Sequence, residues 1–194
     1  EERMHTKLQN PEFSWKLFQI DEHIGAAAAG LNSDARILAD NARIRAQVLR
    51  LSYDEEPTVE AVARYIGDIM QMYTQHAGVR PFGTAILFGG VDKTGVRVFY
   101  TEPSGMVLEY DAWAIGRGAE KVKDVLEAEY RRDLSLEEAI ELSLKALVNS
   151  VERLDEKWTA RVATIPVSTK KYSMMPQEEL MERLKPLIEA REKG

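Results

Sequence analysis

The spacing of apolar residues changes sharply near the middle of the chain. Between residues 58 and 76 apolar side chains recur at intervals of three and four, which is the helical period, whereas from residue 84 onward they occur in short alternating runs. The runs TAILFGGV, VRVFYT and MVLEYDAWAIG are separated by DKTG and EPSG, and this pattern predicts antiparallel strands joined by turns. Pro103 and Gly105 suit positions i+1 and i+3 of a type I turn.

Two helices are predicted before this change of period. The first, over about residues 32–51, has Asn32 or Ser33 as its cap and one apolar stripe with a single polar gap at Asn41. The stripe consists of Ile37, Ile44, Val48 and Leu51. The second helix begins after the capping residue Thr58 and is predicted to run to about His76.

Strands are predicted before the helix pair, and more helices after the hairpins. WKLFQID, over residues 15–21, alternates as a strand with Lys16, Phe18 and Ile20 on one face. HIGAAAAGL follows as a strand of small residues, which indicates that another element approaches its backbone closely. The remaining segments are helices at about 119–132 and 136–153, the second of them capped by Ser135, strands at 160–167 and in KKYSMM, and a terminal helix starting at Pro176.

This order of segments predicts a fold class. Helix pairs alternate with antiparallel hairpins and there are no β-α-β units, so we expect an α+β fold with two sheets packed face to face and helices outside, a four-layer αββα sandwich. The length of 194 residues fits a single domain over residues 1–194.

Composition excludes several classes of function. Hydrophobic residues are 44% of the chain and charged residues 30%, which is ordinary for a globular protein, and no run is long enough to span a membrane. The net charge of −6, with no Lys/Arg cluster free of acids, argues against nucleic acid as a partner. With no cysteine there is neither a disulfide nor a thiolate site, and we expect a cytoplasmic protein without metal or cofactor.

Two short motifs suggest chemistry but have simpler explanations. IGRGAEKV, residues 115–122, could cradle a phosphate, yet the third glycine of the dinucleotide pattern is missing and Glu120 would repel an anion. We interpret it as a tight strand-to-helix turn. Asp21, Glu22 and His23 offer acid/base groups, but successive strand residues face opposite ways, so a polar turn between strands is the better interpretation.

Lys16 and the loop YTQHAGVRPFG remain as candidates for binding. Lys16 either extends its ammonium to solvent at a sheet edge or captures a partner's C-terminal carboxylate. In the loop, Gly78 permits a positive φ after the helix, and Pro81 biases Arg80 towards an extended backbone. The loop is therefore predicted to be a stiff reversal that aims Arg80 in a defined direction.

Several stretches of the chain resemble the α-type subunits of the proteasome (20S) core particle. The resemblance is collinear, covers nearly the whole chain and is closer to archaeal than to eukaryotic members. It is carried by YTQHAGVRPFG, ILFGGVD, EPSGMVLEYDAWAIGRG, LSLEEAIELSLKAL and KLFQIDEHIGAAAAGLNSDARILADNARIRAQ. The resemblance implies the four-layer αββα sandwich of the Ntn-hydrolase fold.

The resemblance also implies a role and partners. Alpha-type subunits form heptameric rings that cap the proteolytic β rings, control the passage of substrates and dock ATPases or other activators. They are not catalytic: the β-type mechanism uses an N-terminal threonine, and this sequence begins with Glu1. The helices at about 32–51 and 58–76 resemble those that the family places against the β ring.

Individual residues are carried over from the same resemblance. Lys16 matches the lysine that pairs with the C-terminal carboxylate of an activator, and Leu31 lies at a position that helps to line the same pocket. The signature loop contributes structural residues between the second helix and the following strand. These are Tyr73, Gly78, Arg80, Pro81 and Gly83.

The sequence departs from the family pattern at its start. In family members the matching part is preceded by a gate-forming tail, a helix and two strands, so the sequence is expected to be truncated or incomplete there. Two other hypotheses stay open. One is an N-terminal-nucleophile amidohydrolase of the same fold, and the other is a ligand-binding module that uses the 115–122 turn.

Overall fold

The computed structural model describes residues 2–3, 8, 16–151 and 158–192. These residues form a mixed α/β structure with five helices and an antiparallel sheet. The helices are α1 (Asn32–Tyr53), α2 (Val59–Met72), α3 (Ala119–Glu129), α4 (Leu136–Ser150) and α5 (Gln177–Glu192). The strands are β1 (Glu2–Arg3), β2 (Leu17–Asp21), β3 (Ile24–Gly30), β4 (Thr84–Asp92), β5 (Gly95–Thr101), β6 (Val107–Tyr110), β7 (Trp158–Thr159), β8 (Ala163–Thr164) and β9 (Ser173–Met174).

The described residues divide into two compact units. The sheet unit comprises residues 16–116 and 165–173, and the helical unit comprises the described residues among 1–15, 117–164 and 174–194. Within the described part of the chain, no helix combines the length and the apolar character that crossing a membrane requires.

The sheet unit contains five antiparallel strands in the order β2-β3-β4-β5-β6, with α1 and α2 packed against them. Its core lies between sheet and helices: Ala26 pairs with Phe88, which pairs with Phe99, and all three side chains are buried. Ile20 is also buried and Phe18 packs against this core, so the predicted facing of β2 is confirmed.

Alanine is responsible for the close packing of α1 on the sheet. The buried face of α1 is built around Leu38 and four alanines, and the facing strand β3 is IGAAAAG. Short side chains on both surfaces let a helix approach a strand closely, which confirms the expectation for the small-residue strand. The four alanines are Ala35, Ala39, Ala42 and Ala46.

The turn DEH joins β2 to β3 as predicted, but it is not a solvated turn. Asp21 and His23 are both buried. Asp21 Oδ2 accepts a hydrogen bond from Arg50 at 2.9 Å, and its Oδ1 accepts the Glu22 amide at 2.7 Å. His23 Nε2 lies 2.7 Å from the carbonyl oxygen of Pro57. These polar groups tie the turn to α1 and to the loop after it.

The helical unit has its own core between α4 and α5. Ile140, Leu144 and Val148 of α4 meet Leu180 and Leu184 of α5, and all five are buried. Ser135 begins α4 with a complete capping box, because its hydroxyl accepts the Glu138 amide and its own amide donates to the Glu138 carboxylate. The predicted Ser135 cap is thereby confirmed.

Other predictions of detail differ from the structure. Leu31 is the N-cap of α1 and makes no side-chain cap, so the predicted cap by Asn32 or Ser33 is wrong. The hydroxyl of Thr58 does cap α2, accepting the Ala61 amide at 3.2 Å. The ends of several elements also differ from the prediction: α2 ends at Met72, β6 ends at Tyr110, and only Ala163–Thr164 of the predicted 160–167 strand forms a strand. Trp15 lies outside the described residues.

Candidate functional site

The signature loop leaves α2 and closes on itself before β4 begins. The rings of Tyr73 and Phe82, near its two ends, lie 4.7 Å apart between centroids at an angle of 42°. Gly78 has a φ of +84°, as predicted for the reversal after the helix. Phe82 is buried in the sheet core, so one end of the loop is anchored while residues 75–81 are exposed.

Arg80 points back to the first turn of α1, where it meets Asp34. Its two terminal nitrogens donate to the two carboxylate oxygens at 2.7 and 2.9 Å, a bidentate arrangement. The Arg80 side chain is 61% exposed and that of Asp34 only 7%. The hydrogen bond from Arg80 holds the pKa of the Asp34 carboxyl below its ordinary value. The carboxylate is therefore ionised throughout the physiological range.

The same carboxylate binds the end of the loop. Asp34 Oδ2 accepts the Gly83 amide at 2.8 Å, and Arg80 also donates to the Pro81 carbonyl at 2.9 Å. One buried acid thus fixes both the arginine and the backbone that enters β4. Arg80 and Gly83, near the end of the loop, are therefore both tied to Asp34 at the start of α1.

Leu31 lies directly over Gly83. Its amide donates to the Gly83 carbonyl at 2.9 Å, and a Cβ at position 83 would be 2.7 Å from Leu31 Cδ1. Gly30, with a φ of +132°, has no room for a side chain against the Gly83 carbonyl oxygen. Leu31 itself is 50% exposed, so it presents half of an apolar side chain to solvent.

Lys16 lies at the same end of the sheet as Leu31. Its carbonyl accepts the Ala28 amide at 2.9 Å, which places it opposite a residue three positions before Leu31. The alternation of β2 puts its side chain on the face that carries Phe18 and Ile20, and it is half-buried. The candidate docking residues and the signature loop thus belong to one region around the start of α1.

Asp34 is the residue of this region whose role the sequence did not reveal. It is recognisable beforehand only as an acid in the first turn of a helix, where it favours the positive end of the helix dipole. Its partner lies 46 positions away, and the pairing depends on how the loop folds back. The sequence predicted a loop that aims Arg80 in a defined direction, but it did not indicate that Asp34 is the residue that Arg80 meets.

A second surface lies along α1 on the side away from the sheet. The apolar residues that predicted this helix do not form its buried face. They are exposed to 53% at Ile37, 61% at Ile44, 45% at Val48 and 84% at Leu51. We call these four residues the exposed stripe; they recur at intervals of seven, four and three, and so lie on one side of the helix.

The 115–122 segment forms the turn that precedes α3. Gly116 and Gly118 have φ values of +94° and +77°, and Gly118 is the N-cap of α3. A Cβ at position 118 would lie 3.1 Å from the carbonyl oxygen of Ser150, which is a second reason for glycine at this position. The interpretation as a tight turn into a helix is confirmed, but the turn does not follow a strand directly, since β6 ends at Tyr110.

Comparison with known proteins decides the family. The family model described as proteasome subunit matches residues 2–165. The chain belongs to the proteasome subunit family. Its resemblance to the α-type members is confirmed by relatives that carry the name proteasome subunit alpha.

These relatives are archaeal proteins, and this chain aligns with about three quarters of the length of each. The proteasome subunit alpha of Methanothermobacter thermautotrophicus is 44% identical over 100% of this chain and 78% of the relative. That of Methanopyrus kandleri is 47% identical over 95% of this chain and 75% of the relative. That of Methanosarcina acetivorans is 44% identical over 97% of this chain and 76% of the relative.

Proposed function

We propose that this chain is a non-catalytic α-ring subunit of the proteasome core particle. It would assemble with identical or paralogous α subunits into a heptameric ring, cap the β rings in the cytoplasm, control the passage of substrates and dock an activating ATPase or another activator. We further propose that residues 1–194 form one domain with the four-layer αββα arrangement. Membership of the proteasome subunit family and the α-type names of its relatives support this proposal.

The observation that carries the assembly part of this proposal is the exposed stripe on α1. Four apolar side chains in a row on one helix face form a larger apolar surface than scattered exposed residues do, and such surfaces mark sites of protein association. The alanine face of the helix is buried, which leaves the stripe on the exposed side of α1. It suits docking against another subunit, which the family resemblance assigns to the β ring.

Coexpression with proteasome β subunits tests this assignment. Ile44→Asp places a charge in the middle of the stripe and is expected to prevent association with the β ring, while the circular dichroism of the isolated chain stays unchanged because Ile44 is 61% exposed. Gln47→Asp is the matched control: it adds the same charge to an exposed residue of α1 beside the stripe. Gel filtration with light scattering and electron microscopy report the assembly.

Two results would contradict the assembly proposal. The first is a wild-type chain that stays strictly monomeric with and without β subunits. The second is an Ile44→Asp variant that assembles as fully as Gln47→Asp, since the stripe would then face solvent in the particle. Rings from wild type and Gln47→Asp but not from Ile44→Asp are the expected outcome.

The docking part of the proposal is supported by the position of Lys16 and Leu31. An ammonium group and a half-exposed leucine at one end of the sheet offer a charge for a carboxylate and an apolar contact for the residue next to it. Lys16→Ala is expected to abolish binding of a peptide copied from the C-terminus of an activating ATPase, leaving ring assembly intact. Unchanged peptide affinity, measured by fluorescence anisotropy, would refute the assignment.

The absence of catalysis is part of the same proposal and has its own test. The purified chain, without β subunits, is expected not to hydrolyse fluorogenic peptide amides. Hydrolysis that persists through successive purification steps would favour the amidohydrolase alternative instead.

A further inference from the structure

Asp34 and Arg80 form an ion pair near the surface in which one partner is buried and the other exposed. The acid is almost completely buried and the arginine is 61% exposed, yet both carboxylate oxygens are used by the guanidinium and one also by the Gly83 amide. An isolated exposed pair contributes little to folding. A bidentate pair that also binds backbone fixes geometry as well, because each of its hydrogen bonds is directional.

The geometry fixed by this pair is that of Leu31. Asp34 holds Gly83, the Gly83 carbonyl accepts the Leu31 amide, and the Leu31 side chain lies over the Gly83 Cα. Asp34 and Leu31 also belong to the same helix start, since Leu31 is the N-cap of α1 and Asp34 lies in its first turn. Displacing the loop from Asp34 would therefore move the backbone on which Leu31 rests.

We propose that Asp34 and Arg80 are a positioning pair for the docking pocket, holding Leu31 where it meets the tail of an activator. This inference rests on the proposed docking role of Lys16 and Leu31. Neither Asp34 nor Arg80 needs to touch the tail. Their contribution is to keep the apolar wall of the pocket at a constant distance from the lysine that binds the carboxylate.

The test measures peptide affinity in assembled particles rather than stability. The probe is a fluorescent octapeptide copied from the C-terminus of an activating ATPase, used with a free carboxylate and with a C-terminal amide. Asp34→Asn keeps the size of the side chain but removes the charge that the guanidinium binds. We expect it to weaken both peptides by about 2- to 30-fold, the range that indirect positioning contacts give.

The two peptides separate positioning from direct binding. Lys16→Ala is expected to abolish binding of the free-carboxylate peptide, whereas Asp34→Asn and Arg80→Ala are expected to retain the preference for the free carboxylate and to bind both forms less tightly. The double variant is expected to lose no more affinity than either single variant, because both break the same contact. Arg80→Lys keeps the positive charge but cannot donate two parallel hydrogen bonds to one carboxylate, so we expect its peptide affinity to lie between those of Arg80→Ala and the wild type.

Asp40→Asn is the matched control. Asp40 lies on the same helix, pairs with Arg43 at 2.7 Å, and is exposed, so its substitution removes an ion pair that does not reach the loop. Its affinity for both peptides is expected to equal that of the wild type. A Leu31 methyl resonance that shifts in Asp34→Asn particles and not in Asp40→Asn particles would show the displacement directly.

Each outcome bears on a different claim. Wild-type affinity in Asp34→Asn and Arg80→Ala particles would overturn the positioning pair while leaving the docking pocket intact. A wild-type particle that does not distinguish free carboxylate from amide would overturn the docking pocket itself, and the positioning pair with it. If Asp34→Asn fails to assemble, Arg80→Lys is measured instead, and full wild-type affinity there refutes the requirement for a bidentate contact.

Discussion

Replacing Gly67 by alanine sets two opposing effects against each other. Gly67 lies in the interior of α2, where Gly→Ala normally stabilises a helix by about 1 kcal/mol. In this structure a Cβ at position 67 would overlap Val107 Cγ2 and lie 2.9 Å from the Gly105 carbonyl oxygen. Overpacking of this kind costs about 1–3 kcal/mol, and the backbone oxygen belongs to a turn that itself rests on Gln71.

The steric term is expected to be larger than the helix-propensity term. Both contacts are too short to be relieved by one flexible side chain, because Val107 is β-branched and the other group is backbone. With the steric cost in the upper part of its range, about 2–3 kcal/mol, and the helix-propensity gain near 1 kcal/mol, we expect Gly67→Ala to lower the free energy of unfolding by about 1–2 kcal/mol net. For a chain of this length that corresponds to a melting temperature lower by roughly 2–8 °C.

Thermal unfolding at a fixed protomer concentration, followed by circular dichroism, measures this effect. Gly89→Ala is the control, since nothing lies within 4 Å of a Cβ at position 89. It is expected to leave the melting temperature unchanged or to raise it. A Gly67→Ala variant that melts at or above the wild-type temperature would refute the claim that α2 touches the turn between β5 and β6 so closely.

Three further substitutions test separate parts of the structure. Asp34→Asn is expected to lower the free energy of unfolding by a constant amount between about pH 5 and 8 and by progressively less below about pH 4, because the pKa of Asp34 is depressed and its stabilising charge is lost only on protonation. Urea unfolding across this pH range measures the difference from wild type, and a difference that grows as the pH falls would contradict the expectation. Ser135→Ala removes the capping box of α4 and should cost about 1 kcal/mol in urea unfolding, so a neutral result would count against the cap. Leu180→Ala should cost about 2–5 kcal/mol because Leu180 is fully buried, whereas Met181→Ala, at a half-exposed position, should cost far less.

The type and order of the main elements could be predicted from residue periodicity. The first two helices, the three central strands and the last three helices all occur near the predicted positions, because each has a local period or a cap that acts within a few residues. Element ends were less predictable. The segment after Met72 keeps polar and aromatic residues that a helix tolerates, yet the chain turns there to bring Tyr73 onto Phe82.

The exposed stripe shows why periodicity does not identify the buried face. A stripe of large apolar residues predicted α1 correctly, but the sheet received the alanines on its other side. Alanine contributes little hydrophobic area, so a pattern based on large residues underestimates a face selected for close approach. In a subunit of an assembly, large apolar residues are also kept for contacts that a single chain does not contain.

The sequence by itself determined the family, the two periods of the chain and the residues of the signature loop, because these are properties of neighbouring residues. Only the tertiary structure decided that Arg80 meets Asp34, that Leu31 rests on Gly83, and that the apolar side of α1 faces outward. Such contacts join residues about 50 positions apart, and their geometry depends on loop closure and on steric fit at glycines. Neither is encoded in a local pattern, since both arise only when the sheet has formed.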